Sequence, residues 1–142
     1  MEYTQAVKED GYELAEIRAL AMRPGLEVLG RFDEKRVRSR FLETFTPSDT
    51  FKIVDDETLL GFFVVRVKAD HHYLDHLYIK PEHQGRALGK LVLQKIVSMA
   101  HKKGLPVRLG ALKGSRSNDF YINNGFIKTH EEEFDIYYES PA

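Results

Sequence analysis

Apolar positions along the chain change their spacing several times, and each change marks an element. Tyr3 to Val7 alternates weakly and predicts a first strand. Asp10, with Glu13 three residues later, resembles a capping box in which Asp replaces Ser or Thr. Leu14, Ile17 and Ala21 then recur at helical spacing, and Pro24-Gly25 ends or kinks that helix. A second helix begins at Asp33. Phe32 and Val37 are spaced there for a hydrophobic staple, and Phe41 and Phe45 continue the face.

Strand patterns follow. Phe51 to Val54 and Leu59 to Val67 flank the acidic turn Asp55-Asp56-Glu57, which predicts a hairpin. His71-His72 marks the next turn, and Tyr73 to Ile79 reads as a further strand. The strongest helix pattern runs from about Leu88 to Lys102, with Leu88, Leu91, Val92, Ile96 and Met99 as its buried face. Lys102 and Lys103 suit the negative end of its dipole, and Gly104 suits a left-handed C-terminal position. Leu105 to Leu112 reads as a strand, and Ser115 to Asn123 as a short helix closed by Asn124-Gly125. Phe126 to Thr129 and Phe134 to Tyr138 form a last hairpin around Glu131-Glu132-Glu133.

The expected order is β-α-α-β-β-β-α-β-α-β-β, an α/β fold with a mixed sheet covered by helices. Tyr73 to Leu112 is its central β-α-β unit, two parallel strands joined by a right-handed crossover. No repeat, linker or low-complexity segment interrupts the pattern, and 142 residues suit a single domain over 1–142.

Composition narrows the function. Charged residues make up 30% of the chain, yet the net charge is only −1, unlike a general nucleic-acid binder. The one basic stretch, Arg31 to Arg40, reads as a solvated helix face. The chain has no cysteine, which excludes disulfides, thiolate chemistry and Cys-ligated zinc. His71, His72 and His76 are poorly spaced for joint metal ligation, so no metal is expected. The N-terminal MEYTQAVKED is unlike a signal peptide, and no apolar run approaches the ~18 residues needed to span a bilayer. A cytoplasmic protein without membrane or nucleic-acid partners is the expectation.

Leu74 to Gly89, LDHLYIKPEHQGRALG, carries the most chemistry. A strand-like run meets Pro81, then the turn Gln84-Gly85-Arg86-Ala87-Leu88-Gly89, then the long helix. Small residues let backbone N–H groups approach a ligand. The helix N-terminus behind them adds unpaired donors and about half a positive charge. That combination receives a phosphate or pyrophosphate.

The turn is similar to the Q/R-x-x-G-x-G/A motif of the GNAT (Gcn5-related N-acetyltransferase) superfamily. Leu77-Tyr78-Ile79-Lys80-Pro81-Glu82-His83 resembles that family's lead-in to it. A second stretch, Ser115 to Phe126 with Phe120-Tyr121 and Gly125-Phe126, resembles the family's helix ending F-Y-x-x-x-G-F. The two motifs lie about 30 residues apart, each on its expected element. Ala87 stands where the family usually has Gly. With a negative φ its methyl group still permits close approach, which predicts weakened rather than lost cofactor binding. Gly114 stands where many members carry Asn, and Asn118 lies three residues before Tyr121.

The resemblance implies an N-acetyltransferase that uses acetyl-CoA as cosubstrate and a primary amine of a small molecule, peptide or protein as acceptor. Backbone groups of Gln84, Gly85, Arg86, Ala87, Leu88, Gly89 and Lys90 would hold the pyrophosphate, and the Arg86 guanidinium could add a charged contact. The backbone of Leu77, Tyr78 and Ile79 would pair with the pantetheine amides, and Asn118 would bond that arm or hold the loop beside it. Tyr121 is implied as the acid that protonates the leaving thiolate, and a backbone N–H near Leu77 as the oxyanion donor. For the general base His76 is the first candidate, since imidazole titrates near pH ~6.5. Alternation puts it on the face of Leu74 and Tyr78, opposite Asp75, the second candidate.

Two groups compete as acceptor contacts. Arg23, Arg31, Phe32, Arg36 and Arg40 would suit a carboxylate-bearing acceptor, while Glu131, Glu132, Glu133 and Asp135 would attract a cationic amine. The alternative function is a non-catalytic acyl-CoA-binding sensor or regulatory module. The turn fits neither the P-loop nor the Rossmann pattern, which disfavours other nucleotide folds. A homodimer through the last strands is expected by analogy.

Overall fold

In a computed structural model describing residues 1–142, the elements are β1 (Glu2–Gln5), α1 (Gly11–Val28), α2 (Glu34–Thr44), β2 (Thr50–Asp55), β3 (Thr58–Val67), β4 (His72–Ile79), α3 (Leu88–His101), β5 (Val107–Leu112), α4 (Ser117–Asn123), β6 (Ile127–Glu131) and β7 (Asp135–Ser140). Short 3-10 turns lie at Lys8–Asp10, Pro47–Asp49 and Pro81–His83. The strands make a seven-stranded mixed sheet in the order β1-β2-β3-β4-β5-β7-β6. No helix is long and apolar enough to cross a membrane. The chain forms two compact units, Met1–Val64 with His76–Gly89, and Val65–Asp75 with Lys90–Ala142.

In the first unit β1 pairs antiparallel with β2, and β2 with β3. The β2–β3 turn places Asp56 (φ 48°) and Glu57 (φ 66°) in the left-handed region. Two positive φ values match the right-handed twist of the hairpin they join. The core of this unit is Ala6, Leu14, Ala15, Ile17, Phe41, Phe62 and Val64, with Tyr78, Leu42, Phe45 and Leu59 packed on it. Phe41 contributes most from α2, its ring meeting Phe62 edge-on at 5.3 Å.

Two expectations for this unit change. The α1 helix runs through Pro24 and ends at Val28, with Leu29 as its C-cap. Its stop is Gly30, left-handed at φ 67°, with Gly30 N–H bonded to Glu27 O and Arg31 N–H to Leu26 O. These two bonds form a Schellman cap, a stronger terminator than Pro24. The missing Pro24 N–H frees the carbonyl of Leu20, an exposed residue, so that bond can be replaced by water. Asp10 forms no capping box with Glu13. Its carboxylate accepts the Val7 N–H at 2.8 Å and pairs with Lys52 of β2 at 3.2 Å. Asp33 caps α2 as expected, accepting the N–H groups of Lys35 and Arg36.

In the second unit β5 pairs in parallel with His72–Leu74 and antiparallel with β7, and β7 pairs antiparallel with β6. Val107, Leu109 and Ala111 of β5 are buried, as are Tyr138 and Ser140 of β7. The buried stripe of α3 is Val92, Leu93, Ile96 and Ala100. Leu91 (51% exposed) and Met99 (46% exposed) lie outside it, correcting the predicted face. Apolar residues surround much of this helix, so spacing alone locates Val92 and Ile96 but not the centre of the stripe. Gly104 (φ 73°) ends α3 as predicted, with Leu105 N–H bonded to Ala100 O. His72 is not in a turn. It opens β4 and is buried, its N–H bonded to Pro106 O at 3.0 Å.

Candidate active site

In the first unit the stretch from β4 to α3 holds most of the predicted residues. Pro81 starts a 3-10 turn, Gln84 follows extended, and Gly85 (φ 83°) and Ala87 (φ 57°) are left-handed. Left-handed residues among extended or right-handed neighbours turn successive N–H groups toward one side, a backbone nest for anions. Leu88 then begins α3, whose first N–H groups have no intrahelical acceptor. Gln84 to Ala87 are exposed. Nothing lies within 4 Å of the point where a Cβ of Gly85 would stand, so the space above the turn is open. The Gln84 side chain donates to Ile79 O at 3.0 Å and closes the turn onto the end of β4. Arg86 lies 3.1 Å from the His83 ring. These groups fit a pyrophosphate.

Ala87 does not have the negative φ on which the sequence expectation depended. Its left-handed backbone is the one glycine adopts freely, and an L-residue there carries strain of about 1–2 kcal/mol. The nest is therefore formed despite the alanine.

Leu77, Tyr78 and Ile79 close β4. Gly61 of β3 explains how the backbones come so close there. A Cβ on Gly61 would lie 2.1 Å from the carbonyl oxygen of Tyr78, and the Lys80 N–H bonds to Leu60 O. His76 and Tyr78 share a face, as alternation predicts. The His76 ring meets Phe41 of α2 edge-on at 5.3 Å, and its Nδ1 is 2.9 Å from the Tyr78 hydroxyl.

In the second unit Lys90 is exposed on the first turn of α3. Tyr121 on α4 is only 8% exposed, its ring among Phe120, Phe126 and Tyr138. The Phe126 N–H bonds to the Tyr121 carbonyl and closes the helix onto β6. Asn118 is engaged within the chain. Its side-chain amide donates to Leu112 O and Ser115 O, and its oxygen accepts the Tyr138 hydroxyl at 2.7 Å. It thus holds the loop between β5 and α4. Asp75 pairs with Arg66 at 3.2 Å.

A group that the sequence reading missed lies on the outer face of β5 and β7. Gly110 faces Tyr137, where a Cβ would lie 2.8 Å from that ring and 3.4 Å from the Tyr73 hydroxyl. Tyr137 stacks on His130 at 4.5 Å and bonds to Glu132. The Tyr73 hydroxyl is pushed up to about 12, first by burial and then by Asp75, Tyr137, Asp135 and Glu132. This negative potential with phenol rings favours a cation. Tyr73 and Tyr137 gave no signal because only the register Gly110↔Tyr137 and the Tyr73↔Arg108 pairing bring them together. Among the arginines of the first unit, Arg23 is engaged. Arg23 lies over the Phe32 ring and pairs with Glu27.

A sequence profile described as the acetyltransferase (GNAT) domain matches residues 47–128, more than half of the chain. The chain belongs to the GNAT acetyltransferase family. Among characterised relatives, a spermidine N(1)-acetyltransferase of Thermoplasma acidophilum is 37% identical over 73 residues. That match covers 50% of this chain and 45% of the relative, so the chain spans about half the length of the curated protein it matches. The fold is that of a PaiA N-acetyltransferase from Thermoplasma acidophilum, solved with coenzyme A. The TM-score is 0.80 at 23% identity, covering 99% of this chain and 98% of that one. An acetyltransferase from Thermus thermophilus superposes with a TM-score of 0.78 at 16% identity over 99% and 96% of the two chains.

Proposed function

We propose that this chain is an N-acetyltransferase that transfers an acetyl group from acetyl-CoA to a primary amine, its 142 residues acting as one domain. The observation that carries the proposal is the exposed, left-handed turn at Gly85 and Ala87 leading into α3. In this reading the backbone of Gln84 to Lys90 holds the pyrophosphate and Arg86 adds charge. The backbone of Leu77 to Ile79 pairs with the pantetheine amides. Asn118 fixes the loop from Leu112 to Ser115 beside that arm.

Acetyl-CoA supplies an acyl group activated as a thioester. His76 takes the proton that the amine must lose to attack the acyl carbon. A backbone N–H near Leu77 faces the oxygen that becomes negative. Tyr121 gives its hydroxyl proton to the sulfur as the carbon–sulfur bond breaks. A cationic aliphatic amine is the acceptor class supported by Tyr73, Asp75, Glu132, Asp135 and Tyr137. A relative that is by name a spermidine acetyltransferase supports the same class. The reading places the protein in the cytoplasm, without nucleic-acid or membrane partners. Two copies would associate through the exposed edge strand β6, which size-exclusion chromatography with light scattering tests.

The chain contains no cysteine, so released CoA is the only thiol in a colorimetric thiol assay. The proposal expects CoA release from acetyl-CoA to accelerate with polyamines and other primary amines, and not with tertiary amines of the same charge. Release that no amine accelerates, despite saturable acetyl-CoA binding, would leave a binding module and defeat the proposal.

A further inference from the structure

His76 and Tyr78 lie on one face of β4, and both rings are fixed from the side. Phe41 meets His76 edge-on at 5.3 Å, and Phe62 meets Tyr78 edge-on at 5.4 Å. Phe41 and Phe62 are themselves at most 1% exposed, so the core sets where the two rings stand. Between them, His76 Nδ1 lies 2.9 Å from the Tyr78 hydroxyl. On α2 the ring that meets His76 is the uncharged Phe41, and on its own strand the Tyr78 hydroxyl lies against Nδ1.

The direction of that hydrogen bond decides what His76 can do. A neutral imidazole has one donor and one acceptor nitrogen, whereas an imidazolium donates from both. If the phenol donates to Nδ1, the proton of the neutral ring is on Nε2, and Nε2 cannot take another. If Nδ1–H donates to the phenol oxygen, the Nε2 lone pair is available. Protonation at Nε2 then ends in an imidazolium whose Nδ1–H already points at an acceptor, with no rearrangement. A bond from a charged donor is roughly twice as strong as its neutral counterpart, so the oxygen favours the protonated ring.

We propose that Tyr78 is the positioning residue of His76: its phenol oxygen accepts from Nδ1–H, selects the tautomer with Nε2 open, and steadies the imidazolium formed when the amine gives up its proton. The inference rests on His76 as the base of the proposed reaction. It gives the Tyr78 side chain a role separate from the backbone contact with the cosubstrate.

The test is steady-state kinetics across pH on Tyr78→Phe, His76→Gln and the double variant. Tyr78→Phe keeps the ring against Phe62 and removes only the oxygen. The expected result is a roughly ten-fold fall in kcat, from loss of one charge-assisted bond. The KM for acetyl-CoA should stay unchanged, and the acidic limb of the kcat/KM profile should move to lower pH. His76→Gln should lose roughly a hundred-fold and the limb itself, and the double variant should be no slower. If His76→Gln is slow but Tyr78→Phe keeps the wild-type kcat and limb, the positioning role is overturned and the base assignment stands. An additive loss in the double variant overturns it equally. A His76→Gln enzyme with wild-type rate and pH profile removes the base assignment, and the inference falls with it.

Discussion

Ala87 is the position where sequence and backbone disagree most sharply, and Ala87→Gly turns that disagreement into a number. At φ 57° the alanine methyl crowds the following carbonyl, a strain of about 1–2 kcal/mol that glycine lacks. Glycine also makes the unfolded chain more flexible, which costs about 0.4–1 kcal/mol. The net is a stabilisation of up to about 1.6 kcal/mol. Unfolding entropy near 2.1 cal/mol/K per residue gives a 142-residue chain about 0.3 kcal/mol/K, so Tm should rise by up to about 5 °C. Thermal unfolding followed by circular dichroism suits a protein without tryptophan. Ala87→Val supplies the opposite arm, because a β-branched residue at positive φ is a genuine outlier and should lower Tm. With the turn's conformation retained, acetyl-CoA should bind Ala87→Gly at least as tightly as wild type. A Tm for Ala87→Gly several degrees below wild type, or an unaffected Ala87→Val, would refute the reasoning: the residue would then carry no strain.

Other positions give independent tests. Gly61→Ala sets a methyl 2.1 Å from the Tyr78 carbonyl oxygen, backbone that cannot yield without moving β4. A loss of about 1–3 kcal/mol in denaturant unfolding, with weaker acetyl-CoA binding, is expected. Asn118→Leu leaves the carbonyls of Leu112 and Ser115 and the Tyr138 hydroxyl without this partner. It should cost about 1–3 kcal/mol, and an unchanged denaturation midpoint would contradict the bracing role. His72 is buried, and its Nε2 has no hydrogen-bond partner. Burial first, then Lys103 and His71, hold it below its usual 6.5. The unfolded chain therefore binds the extra proton first, and stability contributed by neutral His72 is lost as pH falls through 6.5 toward the folded value. His72→Leu should flatten that loss in paired pH titrations of stability, and parallel curves for the two proteins would rule the explanation out.

How far the chain could be read follows from where each signal resides. The Asp33 cap and Gly104 after α3 are local features, and the structure bears out their local geometry. Pro24 does not end α1, and the Schellman cap at Gly30 that does depends on bonds back to Leu26 and Glu27, which residue type alone does not announce. Leu91 and Met99 misled because α3 is apolar over much of its circumference, and only packing chooses its inner stripe. The sign of φ at Ala87 was illegible for a related reason: alanine fits either region, and the turn imposes the strained one. The bonds from Asn118 to the Leu112 and Ser115 carbonyls and to the Tyr138 hydroxyl had no signal in the sequence, because the fold alone brings those groups to it. Tyr73 with Tyr137 had no trace in the sequence, since the register of β5 and β7 brings them together.

The central claim is acyl transfer, and detecting its product tests it most directly. Mass spectrometry would follow a panel of primary amines incubated with acetyl-CoA and the purified protein, alongside a Tyr121→Phe variant. The account predicts an acetylated amine that requires both protein and acetyl-CoA, forms fastest with cationic aliphatic amines, and forms much more slowly with the variant, while the variant's acetyl-CoA affinity stays near wild type. If no amine is acetylated by a protein that binds acetyl-CoA, the transferase reading is wrong. Equal rates for Tyr121→Phe and wild type would remove Tyr121 as the acid and leave the proton on the departing sulfur to come from elsewhere.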